Sequence, residues 1–171
     1  MLKATPYCLL IVINIYQILR VIYQKRFLNL SEDELKAFIM IGDKMDVLNF
    51  KKIMRAGTWE HLAEHKNIIR QNEVTEKIFL LVEGEADVII KDRKVSTIKK
   101  GSFIGEMSFL TGELPSADVS VPANARLIGW QKEKLKTLMD RDHLLKHEVN
   151  SLFSNDLISK LHHHNRQHTI I

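Results

Sequence analysis

The stretch Gly105 to Val119 reads GEMSFLTGELPSADV, and its residue types suit a sugar-phosphate ligand. A short helix opening at GEMSF aims unpaired backbone N–H groups outward from its first turn, and such a turn attracts anions. Gly105 lets a ligand approach the backbone closely. Glu106 repels a phosphate, but its carboxylate accepts hydrogen bonds from a sugar hydroxyl beside one. A partly buried phosphate also needs a full cation, and arginine serves best because its fork donates two parallel bonds. Where that cation is needed the chain has Pro115, and it then adds an acid, Asp118.

Other constellations read more simply. HLAEH, His61 to His65, has the H-x-x-E-H spacing of inverted zinc peptidases. On a helix, His61 and His65 share a face and hold zinc, with Glu64 as general base. Gly57 and Lys66–Asn67 leave little room for such a helix, so a solvated pair of histidines is the simpler reading. His162, His163, His164 and His168 form a cluster able to bind metal. Residues 162–171 lack the apolar pattern before them, which makes them a polar, frayed tail. Cys8 sits in an apolar run with no base nearby, as a buried thiol does. There is no Ser-His-Asp arrangement, P-loop or dinucleotide fingerprint. No catalytic residue, metal ligand or resident cofactor is therefore assigned, and the chain reads as a non-enzyme.

The elements around the loop change period twice. LSEDELKAFIMI sets Ser31 three residues before Glu34, a capping-box spacing, with Leu35, Phe38 and Ile39 on one face. MDVLNFKKIMRAG continues as a helix that Gly57 stops. From NIIRQ to RLIGW the chain runs in short β-rich segments broken at Asn72, Gly84, Gly101 and Gly112, the signature of an all-β sandwich or roll. KDRK marks a weaker hairpin turn because it lacks glycine. From Gln131 the helical period returns. Leu135 and Leu138 share one face; Leu145, Val149, Leu152, Phe153, Leu157 and Leu161 share another.

Composition bounds the class. The 171 residues are 45% hydrophobic and 27% charged, with a net charge of +4 and one cysteine. That is globular, without a disulfide framework. The basic residues are dispersed and do not interleave with aromatics, so no nucleic-acid partner is expected. Ala4 to Leu19 carries no charge, a little short of the roughly 20 residues that cross a bilayer. Tyr16, Tyr23, Arg20, Lys25 and Arg26 lie at the C-terminal end of the apolar segment, as at the cytoplasmic boundary of a membrane helix. The readings are a membrane helix truncated at its start, an interfacial helix or an amphipathic helix packed on a partner, and membrane attachment is the expectation.

The stretch IFLLVEGEADVIIKDRKVSTIKKGSFIGEMSFLTGELPSADVSV resembles a cyclic nucleotide-binding domain. The resemblance implies an α+β fold, an antiparallel double-stranded β-roll of jelly-roll type flanked by N- and C-terminal helices. It implies a phosphate-binding cassette at Phe103, Gly105, Glu106, Met107, Ser108 and Ala117. Glu106 would take the ribose 2′-hydroxyl, and Gly105, Met107 and Ser108 would offer backbone groups near the cyclic phosphate of cyclic AMP or cyclic GMP. The family's P-R-x-A-T-V reads L-P-S-A-D-V here. Pro115 stands in the place of the phosphate-binding arginine and Asp118 in that of a small or hydroxyl residue. A lost charge-assisted hydrogen bond is worth about 1.5–3 kcal/mol, or roughly 10- to 150-fold in affinity. Lys99, Lys100 and Arg126 are the sequence's possible substitutes. The order of helices, roll and RLIGWQKEKLKTLM is also similar to the Popeye-like branch of this superfamily, whose members are membrane-tethered.

The expected organisation is an apolar membrane-attached helix at 1–27, a helical connector at 28–57, the β-roll at 58–130 facing the cytoplasm, helices at 131–161 and the tail at 162–171. The expected function is a membrane-associated regulatory module with cyclic-nucleotide binding weakened or lost. The alternative is a ligand-free scaffold that self-associates through its helices, and a zinc hydrolase comes third.

Overall fold

In the computed structural model of the protein, residues 11, 13–16 and 30–168 are described, with side chains as far as His162. Most of the apolar segment at 1–27 lies outside them; residues 13–16 are helical. Among the described residues no helix is long and apolar enough to cross a membrane.

Helix α1 (Glu32–Ile41) starts at the expected capping box. The Ser31 N–H donates to Glu34 Oε2 at 2.8 Å, and the Glu34 N–H donates to Ser31 Oγ at 3.2 Å. Its buried residues are Ala37 and Ile41, whereas Ile39 is 73% exposed. The inward stripe is thus rotated from the one the periodicity suggests. A 3-10 turn (Gly42–Lys44) leads to α2 (Val47–Ala56), capped by Asp46, whose carboxylate accepts the Leu48 N–H. Gly57 ends α2 in an ordinary extended conformation. Its missing side chain is required by close approach, since a Cβ would lie 2.6 Å from Ile128 and 2.8 Å from the Trp130 indole nitrogen.

Eight strands follow: β1 (Thr58–His61), β2 (Lys66–Ile69), β3 (Lys77–Glu83), β4 (Glu85–Ile90), β5 (Arg93–Lys99), β6 (Phe103–Ile104), β7 (Asp118–Val121) and β8 (Arg126–Gln131). They form two antiparallel four-stranded sheets, ordered β1-β8-β3-β6 and β2-β7-β4-β5. With helix α3 (Glu106–Thr111) between β6 and β7, and helices before and after, this is the α+β double-stranded roll. The sheets share a core that includes Ile69, Phe79, Leu81, Ile104, Val121 and Leu127. Residues 78–82 of β3 are all buried, because one face meets that core and the other lies under helices. This explains the unbroken apolar run IFLLV. The β4–β5 hairpin turns on Lys91 and Asp92, both at positive φ, so a two-residue primed turn forms without glycine.

After β8 come α4 (Lys132–Asp140) and α5 (His143–His168). Leu135 and Met139 carry the buried face of α4, with Leu138 half-buried. Leu145, Val149, Leu152 and Phe153 anchor α5, but Leu161 is 59% exposed. The helical backbone runs on through the histidine-rich segment to His168, where neither glycine nor proline interrupts it.

Candidate functional site

The site is built on the β6–α3 junction. Strand alternation sends Phe103 and Ile104 to opposite sides. Ile104 enters the core between the sheets. Phe103 faces the C-terminal helices, its ring 4.8 Å from Phe153 and 6.4 Å from Trp130. Phe103, placed in the cassette by sequence, is thus a packing residue that joins the cassette to α5.

Gly105 follows at φ +88°, and an added Cβ would meet the Lys77 carbonyl oxygen at 3.1 Å and Ile69 at 3.2 Å. Both the backbone conformation and the space require glycine. Gly105→Ala is expected to lower stability by about 1–2 kcal/mol from left-handed strain, read by urea unfolding.

Glu106 opens α3 and is only 4% exposed. Its carboxylate accepts from Lys160 Nζ at 2.5 Å. The same ammonium lies 2.7 Å from Asp156, one turn earlier on α5. Asp156 also accepts the Phe103 N–H at 3.1 Å, and Lys160 donates to the Phe103 carbonyl. Burial pushes the Glu106 carboxyl above its ordinary 4.5; Lys160 opposes this, and Asp156 adds to it. Lys160 and Asp156 were not singled out by sequence. Their Asp–Lys spacing of four is visible as a helix pair, but nothing local to α5 points at a residue 54 positions away.

Met107 is half exposed, and Ser108 is half-buried with its hydroxyl accepting from Lys132 Nζ at 2.9 Å. Gly112, at φ +77°, ends α3. The loop beyond is tied to the turn after β2. The Pro115 carbonyl accepts the Asn72 N–H at 2.9 Å, and the Ser116 carbonyl accepts the Gln71 side-chain amide at 2.8 Å. Asp118 Oδ1 accepts the Gln71 N–H at 2.6 Å. Half-buried Ala117 lies between these anchors. Asp118 therefore has a structural task here.

Electrostatically the segment is one-sided. Residues 105–118 contain Glu106, Glu113 and Asp118 and no lysine or arginine. Of the three possible substitutes, Arg126 is engaged by Glu83 across the β3–β8 pair, 3.3 Å away. Lys99 and Lys100, at the end of β5 and in the next turn, form no ion pair among the described residues. Two cations reach the segment from outside it: Lys160 is engaged by Glu106 and Asp156, and Lys132 lies 2.9 Å from the Ser108 hydroxyl. The arrangement offers a buried acceptor for a sugar hydroxyl, and residues 105–118 themselves supply no lysine or arginine for a phosphate.

The zinc reading is corrected by the fold. His61 ends strand β1 and His65 precedes β2, so they share no helix face. His65 Nε2 instead pairs with the Ser120 hydroxyl at 2.6 Å. No group of three or more metal-ligating side chains gathers among the described residues.

Comparisons with known proteins agree with this architecture. The family model described as the cyclic nucleotide-binding domain matches residues 59–142. A cGMP-dependent protein kinase from Plasmodium berghei (strain Anka) is 27% identical over 115 residues, in an alignment that covers 64% of this chain and 13% of the kinase. The chain thus spans a small fraction of that relative's length. A crystal structure of a cyclic nucleotide-binding domain from Methylobacillus flagellatus KT is similar with a TM-score of 0.68 at 15% identity, covering 76% of this chain and 81% of that one. The regulatory subunit of a cAMP-independent protein kinase A from Trypanosoma cruzi, bound to guanosine, is similar with a TM-score of 0.54 at 19% identity, covering 64% of this chain and 42% of that one. Through residues 59–142, this chain belongs to the cyclic nucleotide-binding domain family.

Proposed function

We propose that the chain is a non-catalytic regulatory module whose cassette reads a nucleoside-type ligand through its ribose and no longer grips a cyclic phosphate. One observation carries this reading: Glu106 is present and buried, in a segment with three acids and no cation. The guanosine-bound structural neighbour supports a neutral ligand for such a fold. A ribose hydroxyl competing for Glu106 weakens the Lys160 contact and so loosens the far end of α5. The ligand shifts that equilibrium only by its differential affinity for the two arrangements. Calorimetric titration of the full chain is expected to show saturable binding of guanosine or adenosine. Cyclic AMP or cyclic GMP binding more than about tenfold tighter, a difference of about 1.4 kcal/mol, would overturn the reading.

A second reading, a ligand-free scaffold of the Popeye-like type, is favoured by the Lys160 contact itself. Glu106 already has its partner, and Ile158 and Leu161 on α5 are 51% and 59% exposed. It predicts silence towards all four ligands, and self-association in sedimentation that nucleotides leave unchanged. In both readings residues 1–27 attach the module to a membrane with the roll on the cytoplasmic side. Vesicle flotation of the full chain, abolished by deleting those residues, tests that part.

A further inference from the structure

We propose that the groove between α3, α4 and α5 is a second ligand site, for a small amphiphile with one anionic end. It stands on the groove alone and does not depend on what the cassette binds. The groove measures about 390 Å³, within the roughly 300–1,000 Å³ of small-molecule sites. Phe109, Leu110 and Met139 supply its apolar wall.

Its cations are unusually placed. The Lys132 backbone is fixed where β8 becomes α4, its N–H donating to the Glu76 carbonyl at 2.8 Å. Its side chain is half-buried, and the ammonium reaches the Ser108 hydroxyl at 2.9 Å. Lys132 has no carboxylate within ion-pair distance among the described residues, and burial lowers its pKa below the ordinary 10.5 with no anion opposing. Lys136 lies one turn on, lines the same groove and makes no ion pair among the described residues. Two acids also line it. Asp140 is held by Lys146 at 2.8 Å and lies near Lys136, and Glu133 is exposed. Three lysines against two acids leave one positive charge in excess. A half-desolvated ammonium paired only to a hydroxyl is disfavoured. A single carboxylate or phosphate monoester end would relieve it, with an apolar body along Phe109 and Leu110.

The test titrates the full chain with decanoate and decyl phosphate below their micellar concentrations, and with decanol as the uncharged analogue. Either anion is expected to bind saturably and at least about tenfold tighter than decanol, the size of a charge-assisted bond. Lys132→Met and Lys136→Met are each expected to lose most of that advantage. Lys136 is exposed on the helix surface, so its variant keeps the fold and the test remains decisive if Lys132→Met does not. Decanol binding as tightly as the anions, unchanged affinity in Lys136→Met, or silence with both anions would each overturn the site.

Discussion

Exchanging Pro115 for arginine and Asp118 for threonine in one chain is expected to tighten cyclic AMP and cyclic GMP binding by about 10- to 150-fold, with guanosine affinity unchanged. The scaffold for the gain is present. Pro115 uses only its carbonyl, which accepts the Asn72 N–H, and an arginine backbone keeps that carbonyl. Asp118 must change as well. An arginine three residues away would be neutralised by its carboxylate, which would also repel the phosphate. Threonine removes the charge and keeps an oxygen on the same strand, though a shorter one for the Gln71 N–H that Asp118 now accepts. Asp118→Thr alone is therefore expected to weaken the loop anchor without restoring nucleotide binding, and Pro115→Arg alone to give a partial gain. Calorimetry with both cyclic nucleotides and guanosine separates charge from general pocket repair. A gain shared equally by guanosine would show that the missing cation was not the defect.

The sequence exposed what is written locally. The strand runs, the breaks at Asn72, Gly84, Gly101 and Gly112, all of which adopt positive φ, and the capping box at Ser31 each depend on neighbours within a few residues. The segment Gly105 to Val119 stands out for the same reason, as one contiguous stretch. What was not legible depends on contacts across the fold. Lys160 reaches Glu106 from 54 residues away, and Lys132 reaches Ser108 from 24. Asp118 looked like a misplaced charge because its partner, the Gln71 N–H, belongs to a turn 47 residues earlier. Motif position places Phe103 in the cassette and does not tell that its ring packs against Phe153 and Trp130. Helix faces were misjudged where apolar residues stay exposed. Ile39 and Leu161 fit the period but lie outside the contact that anchors their helices.

Lys160→Met is expected to destabilise the domain by about 3–5 kcal/mol at pH 8, the cost of leaving a buried charge without its partner, and by much less at pH 5. The sign follows from Glu106. Burial already holds its carboxyl above 4.5 in the folded protein, with Lys160 as the main opposing influence. A folded-state pKa above the unfolded one means that the native state binds more protons between the two values. Stability is therefore full below the unfolded pKa and falls as pH rises through the folded one. Removing Lys160 moves the folded value further up, so the loss widens and extends to higher pH. Protonation at low pH neutralises Glu106 and makes Lys160 dispensable to it. Asp156 also loses a partner but keeps the Phe103 N–H. Urea unfolding at both pH values reads the difference. Adding Glu106→Gln to Lys160→Met is expected to recover most of the stability at pH 8, since the glutamine carries no charge to bury. A loss equal at both pH values, or no recovery in the double variant, would mean that Lys160 supports α5 by packing alone and does not hold the cassette carboxylate.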